Sequence, residues 1–321
     1  MRIAHPLEIL TNIRNCLTTS VGILDKAESD HMIESERQSG IGRRESGDIT
    51  FHNYWTVSGN AYITEASWVD WLTRGGPLTL GPPDHGISLG FNSDQRKKVT
   101  IGAGSFYSHN QVGAWNSSGQ LTIGLKPASS VTISLEPSFN RSRNFAQYVR
   151  TVDDVTATRT FNQRYVFADL DQSAASLTGR INMGITRKMS LQVYSQLLFS
   201  AGDYWRFKEL ERARSLSFLA YGQDTGTIMQ NGNDYIVDPD GPGSAPAFNI
   251  SNPDFNFKSL RVNAVFRWEW RPGSTFFFVW TQNRAGSQYP GAISPTRDFN
   301  ALFHTPADNV FLIKTTYWFN R

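Results

Sequence analysis

Residues 260 to 271 divide cleanly by parity. Leu260, Val262, Ala264, Phe266, Trp268 and Trp270 alternate with Arg261, Asn263, Val265, Arg267, Glu269 and Arg271. This is the period of a strand with one greasy and one charged face. Pro272-Gly273 follows as a turn, because proline presets φ and glycine tolerates positive φ. Beyond it, Phe276, Phe278 and Trp280 hold one parity, and Thr275, Phe277, Val279, Thr281 and Asn283 hold the other. The two arms predict a hairpin. A strand of a closed barrel can show one face to lipid and the other to a wet lumen, which would place tryptophans beside arginines without conflict.

The pattern recurs. Ile87, Leu89 and Phe91 lead to the polar turn SDQRKK, after which Val99, Ile101, Ala103, Ser105 and Tyr107 alternate with Thr100, Gly102 and Gly104. Leu121, Ile123 and Leu125 reach KPASS, then Val131, Ile133, Leu135 and Phe139 interleave with Thr132, Ser134, Glu136, Ser138 and Asn140. Ala175, Leu177, Gly179, Ile181, Met183 and Ile185 alternate with Ser176, Thr178, Arg180 and Asn182, turn at Arg187-Lys188, and continue as Met189, Leu191, Val193, Leu197 and Phe199. Longer polar connections are expected at 109–118, 141–163, 202–214, 223–255 and 285–307. Short turns at one end and long loops at the other are a habit of outer-membrane barrels. A soluble sandwich or barrel shares the period, and large aromatics on the greasy parity, placed as an interfacial girdle would need them, favour the membrane.

The final segment alternates Phe311, Ile313, Thr315, Tyr317 and Phe319 with Val310, Leu312, Lys314, Thr316 and Trp318. It predicts a terminal strand ending in aromatics, similar to the assembly signal of bacterial outer-membrane barrels, with Asn320 and Arg321 beyond it. The start fits worst. Residues 1–47 are charged, rich in Glu, Ser and Arg, and lack period-2 alternation, so they are expected to form a polar N-terminal segment or the remnant of a truncated precursor. Residues 48–321 are expected to form the barrel domain.

Composition narrows the choice. The chain has 321 residues, 39% hydrophobic and 18% charged, enough to fold and low in charge for a soluble protein. Aromatics reach 13%, with 9 Trp. A balance of 31 basic and 28 acidic residues gives +3 and argues against a nucleic-acid surface. The single Cys16 excludes an intrachain disulfide and a cysteine metal cluster. No run approaches the roughly eighteen apolar residues of a membrane-spanning helix, so any spanning is by strands. The opening MRIAHPLEILTNIRNCLTTSVGIL is interrupted by Pro6, Glu8, Asn12, Arg14 and Asn15 and offers no clean signal-peptide core. That points either to a longer precursor or to a chain that is not exported.

Catalytic signatures are scarce. The six histidines show no HExxH or paired metal spacing, and no G-x-S-x-G occurs. GAGSFY lacks the remaining glycine of a dinucleotide fingerprint and sits inside a predicted strand. The loop DYIVDPDGPGS groups Asp234, Asp238 and Asp240 with glycines, as an oxygen-rich cation loop could. It departs from the EF-hand template, and a Pro/Gly-rich surface turn is the simpler account. Glu136, Arg180, Arg261, Arg267, Glu269 and Lys314 are the lumen-facing candidates, expected to neutralise one another across a lumen rather than catalyse. Phe266, Trp268, Trp270, Phe276, Phe278, Trp280, Tyr317 and Phe319 are the girdle candidates. No cofactor and no metal are expected.

TRGGP (73–77), SDQRKK (93–98), RYVFADLDQ (164–172), SAGDYWRFKEL (200–210), YIVDPDG (235–241) and PDFNFKSLRVNAVFRWEWRPGSTFFFVWTQ (253–282) together resemble one family. It is the uncharacterised C-terminal barrel domain of bacterial proteins that often carry an N-terminal family-9-like carbohydrate-binding module. The likeness runs from about 49 to 319, and the module itself is missing. It implies an outer-membrane barrel and supplies no catalytic residues. The expected fold is therefore all-β, an antiparallel transmembrane β-barrel of roughly 12–14 strands. The expected function is a non-enzymatic barrel of the bacterial outer membrane that handles or displays a saccharide or other solute. Its expected partners are outer-membrane lipid, the barrel-assembly machinery through the C-terminal strand, and a saccharide, but no nucleic acid. The alternatives are a barrel-borne hydrolase acting on carbohydrate, for which Ser108 and His109 have no supporting spacing, and a soluble β-rich glycan-binding module with stacking aromatics.

Overall fold

The computed structural model describes the backbone of residues 17–24 and residues 42–288 and 291–319 with their side chains. The rest of the expected N-terminal segment, and Asn320 and Arg321, lie outside the described residues. In chain order the strands are β1 (Leu17–Leu24), β2 (Gly42–Phe51), β3 (Thr56–Thr64), β4 (Ser67–Val69), β5 (Thr79–Gly81), β6 (Asp84–Asn92), β7 (Val99–Asn110), β8 (Trp115–Ala128) and β9 (Val131–Asp153). There follow β10 (Gln163–Thr186), β11 (Met189–Leu210), β12 (Phe218–Ala220), β13 (Thr227–Asn231), β14 (Asp234–Asp238), β15 (Phe248–Ser251), β16 (Phe255–Arg271), β17 (Ser274–Gln288) and β18 (Asp308–Thr316). One helix, Pro295–His304, lies between β17 and β18.

The main sheet is an antiparallel meander in the order β1-β2-β3-β6-β7-β8-β9-β10-β11-β16-β17-β18, with β12 added to β11. Neighbours in space are neighbours in sequence except where β4–β5 and β13–β15 form small sheets of their own. Among the described residues, β1 and β18 each pair on one side only. The alternating runs of β-branched and aromatic residues favour these strands, and tight turns set their register. In the β6–β7 turn, Asp94 accepts the backbone N–H of Arg96 and a two-point hydrogen bond from its guanidinium. That contact holds the Asp94 carboxyl down at about 2. At the β16–β17 turn, Gly273 takes a φ of 77°, as the Pro-Gly pair predicts.

Register converts the parity of single strands into a property of the whole sheet. Val99 faces Leu125, which faces Ile133, then Ile181, Val193, Ala264, Trp280 and Phe311 in unbroken succession. Every member of that row is apolar. One residue over, the row is Thr100, Gly124, Ser134, Arg180, Tyr194, Asn263, Thr281 and Val310, polar until the terminal strand. Adjacent rows lie on opposite faces of a pleated sheet. The apolar face points outward, with Val99 56%, Ile101 43%, Leu135 41% and Phe311 63% exposed.

The buried core lies at one end, not across the sheet. β10 carries Val166, Phe167 and Ala168, all fully buried. Val166 and Ala168 pack with Phe207, Tyr221, Val237 and Ile250 in one cluster, and Tyr165 and Phe167 pack with Ala146 and Leu210 in another, against Leu72 and Phe218. Alternate residues of one strand thus feed two cores on opposite faces. This corrects the expected loops at 141–163 and 202–214, which are largely strand: β9 runs to Asp153 and β11 to Leu210. Their ladders persist because both faces are covered. The 223–255 connection supplies β13–β15, and 285–307 supplies the end of β17 and the helix. At the other end of the chain, β2 begins at Gly42 rather than near 48, since its pairing with β3 runs back to Gly42↔Thr64 despite the charges of Arg43, Arg44 and Glu45.

Candidate functional site

Side chains from β2, β3 and β6 to β11 converge on one space of about 1060 Å³. Its wall is small and uncharged for the most part: Ser58, Asn60, Ser88, Gln120, Asn140 and Ser176 supply hydroxyl and amide groups, and Asp48 is its one acid. The wall is cross-linked by hydrogen bonds between neighbouring strands, with Ser138 Oγ 2.7 Å from Ser176 Oγ and Asn140 Nδ2 donating to Asn116 Oδ1 at 3.0 Å. A Cβ at Gly90 would collide with Ser58 Oγ, so glycine lets the two strands share that wall. Phe106 supplies an aromatic face, stacked on Tyr62 at 6.4 Å. The Tyr62 hydroxyl donates to Asp84 Oδ2 at 2.7 Å.

β10 connects this space to the buried end. Its even-numbered residues Ala174 and Ser176 line the cavity, and Ala168 and Val166, on the same face, meet Val237 and Ile250. The irregularity in pairing does not interrupt β10: Val166 faces Arg150 while Phe167 faces Tyr148, so the extra residue belongs to β9. The small sheet β13–β15 is therefore seated on the cavity-side face, beyond the cavity.

The six charged lumen candidates all fall on the cavity-face parity, but outside the cavity wall. Glu136 faces Thr178, Thr178 faces Gln196, and Gln196 faces Arg261. Arg267 faces Phe277, which faces Lys314. The expected neutralisation is confined to Arg267 and Glu269, which pair along one strand at 3.2 Å. Glu136 instead accepts from Ser134 Oγ at 3.3 Å, and the Arg180 guanidinium lies 5.4 Å from the Tyr194 ring.

The Asp234, Asp238 and Asp240 grouping does not converge as a cation loop would. Asp234 and Asp238 sit at opposite ends of β14, Asp238 accepts the N–H of Gly241, and Asp240 accepts that of Ala245. Among the described residues no three His, Cys, Asp or Glu side chains gather at cation distance. Asp238 and Asp240 serve their own turn through these two hydrogen bonds.

The aromatic candidates of β16 and β17 gather near the turn between them. Phe266 faces Phe278 and Trp268 faces Phe276; Trp268 contacts Trp270, and Phe278 stacks on Phe311. Tyr317 and Phe319 follow β18, which ends at Thr316, instead of continuing it. Arg271 Nη1 donates to the Tyr317 hydroxyl at 2.5 Å and Trp318 N donates to Ser274 Oγ, which turns the segment back over the hairpin.

Three buried ionic groups escaped the sequence reading. Arg164 joins Asp154 at 2.5 Å and Glu209 at 2.7 Å, and the Tyr221 hydroxyl donates to Glu209. Burial pushes Tyr221 well above its ordinary range, with Glu209 adding to it. For Asp154, burial works to raise the carboxyl, yet Arg164 and Thr156 together hold it below its ordinary value. Lys208 lies 2.5 Å from Asp169, which also meets Arg206 at 2.7 Å. Burial drives the Lys208 ammonium down to about 8 against the pull of Asp169. Lys258 and Asp298, both sealed from solvent, join β16 to the helix. The available signal was charge inside apolar runs, in RYVFADL and YWRFKEL. Buried charge must be paired, and these are.

No curated protein matches the chain. Among solved structures, one described as "NanC porin structure in rhombohedral crystal form" is similar over 87% of this chain and 97% of that one, at 8% identity and a TM-score of 0.25, too distant to bear on the fold. The family described as Domain of unknown function (DUF5916) matches residues 3–320, and the chain belongs to that family.

Proposed function

We propose that the chain is a non-enzymatic β-barrel of the bacterial outer membrane, whose polar interior handles small hydrophilic solutes, with saccharides as the class that best fits the wall. The observation that carries this is the pair of adjacent rows. An apolar row crosses eight strands on the outside while its neighbour, one residue away on the inside, is polar or glycine until Val310 of the terminal strand. A soluble protein rarely leaves a contiguous apolar surface of that breadth open to water, and lipid removes the conflict. Among the described residues the outer edges of β1 and β18 have no partner, which supports closure on each other, since a long bare edge strand with Phe311, Leu312 and Ile313 exposed is an aggregation hazard that barrels abolish. The main path would then contribute twelve strands, the thirteen of the sheet less β12, an even number as such barrels require. On this reading the terminal strand is what the assembly machinery receives.

A wall rich in hydroxyls and amides, with Phe106 as a stacking face, suits a neutral polyol, which needs many weak hydrogen bonds and a stacking surface. The family resemblance, to barrels that travel with carbohydrate-binding modules, points to the same solute class. Liposome swelling tests it. Vesicles containing the protein should swell in isotonic monosaccharide faster than protein-free vesicles. Equal rates, with the protein shown to be inserted, would remove the transport role.

A further inference from the structure

The helix Pro295–His304 is held against the outward face of β16 and β17. Lys258 and Asn256, which share parity with the outward Leu260 and Ala264, meet Asp298 at its first turn. Leu302, one turn further, is fully buried beneath the helix. A Cβ at Gly286 would lie 3.3 Å from Thr305 Oγ1, which places the far end over β17. What the helix leaves uncovered is an aromatic pair. Phe299 and Phe303 are 47% and 45% exposed, with ring centroids 4.6 Å apart.

The direction of that pair is fixed by Arg284. The Gly286–Lys258 row lies under the helix, and the next row toward the apolar band is Arg284–Leu260. Arg284 Nη1 donates to the carbonyls of Phe303 and Thr305, and its guanidinium lies 5.6 Å from the Phe303 ring. Phe303 therefore sits on the side of the helix nearer Leu260 and Trp280. We infer that Phe299, Phe303 and Arg284 form a lipid-docking surface, with the helix lying in the headgroup layer and its two rings turned into the acyl boundary. The inference rests on the membrane reading above. It follows from continuity with the outward apolar row, and from the pairing of aromatic rings with a cation that phosphate-bearing headgroups would attract.

Spin-label accessibility tests it in protein reconstituted into phosphatidylethanolamine and phosphatidylglycerol vesicles. Three single-cysteine variants are made in a Cys16→Ser background: Phe303→Cys on the helix, Leu177→Cys on the outward strand face, and Met229→Cys on β13. Each residue is exposed, so labelling leaves the cores intact. At Phe303 and Leu177, collisions with lipid-soluble oxygen should exceed those with a water-soluble nickel chelate, and Met229 should show the reverse. A Leu177 label in lipid with a Phe303 label as water-exposed as that at Met229 would overturn the docking surface alone. Water exposure at both Leu177 and Phe303 would overturn the barrel reading together with it.

Discussion

Arg164 donates from a single nitrogen, Nη1, to both carboxylate oxygens of Glu209 at 2.7 Å, where the two residues are 8% and 7% exposed. Its Nε meanwhile reaches Asp154. One planar cation thus compensates two buried carboxylates, and the fork geometry of guanidinium is what lets it do so. Arg164→Met should cost about 3–5 kcal/mol, because it strands two charges away from water. Arg164→Lys should recover only part, since a point charge cannot span both partners. Urea unfolding in lipid, followed by tyrosine fluorescence, would measure the series. A loss below about 1 kcal/mol in the methionine variant would mean that the network is solvated, the range of exposed pairs.

Lys208 gives a pH signature with a definite sign. In the folded chain its ammonium loses its proton at about 8, against an ordinary value of 10.5. Between those values the unfolded chain binds more protons, so stability rises with pH; below the folded value both states are protonated and the slope vanishes. Urea midpoints should therefore climb from about pH 8 toward pH 10, and Lys208→Met, with Asp169 still held by Arg206, should flatten that climb. A parent protein whose stability is level or falling across the window would contradict the assignment.

The sheet β13–β15 is anchored on the cavity-side face of β10 through Val237 and Ile250, 0% and 1% exposed. Val237→Asp with Ile250→Asp should unseat it and raise single-channel conductance in planar bilayers, with the ladder of β9 to β11 intact by infrared spectroscopy. Unchanged conductance would place the sheet clear of the solute path.

Topology follows from the lengths of the connections. On the proposed barrel reading the short turns at 93–98, 187–188 and 272–273 would mark the periplasmic end by convention, with β13–β15 at the other. In a Cys16-free background, Met229→Cys should react with an impermeant maleimide on intact cells, and Lys188→Cys only after the outer membrane is breached. The opposite pattern would invert the molecule.

What was legible in the sequence is the half of each strand that has one polar and one apolar face. There, period-2 alternation names both the strand and its sides, and Leu177 beside Thr178 or Phe266 beside Arg267 falls where the parity puts it. The extended ends of β9 to β11 were illegible for a physical reason. Where cores cover both faces, Tyr165, Val166, Phe167 and Ala168 run on without alternating, and Arg164, Asp169 and Lys208 look like loop charges until their partners are known. The helix at 295–304 had a readable signature, Ser294-Pro295 at its start and Phe299, Leu302 and Phe303 at helical spacing. It was lost inside a long connection. The cavity wall was visible only as small polar residues, whose convergence depends on the register of eight strands.

The central claim is that the outward face meets lipid and the inward face meets water, and neighbouring residues of β10 test it most directly. Leu177 is outward and exposed, and Ser176 lines the cavity. Each is replaced by arginine, and reversible unfolding is measured in lipid vesicles. Leu177→Arg should cost about 2–4 kcal/mol, the range for a cation near the bilayer midplane of such barrels, while Ser176→Arg, facing a wet interior, should cost about 1 kcal/mol or less. If Leu177→Arg is as mild as an ordinary surface substitution, the apolar row faces water and the barrel account fails.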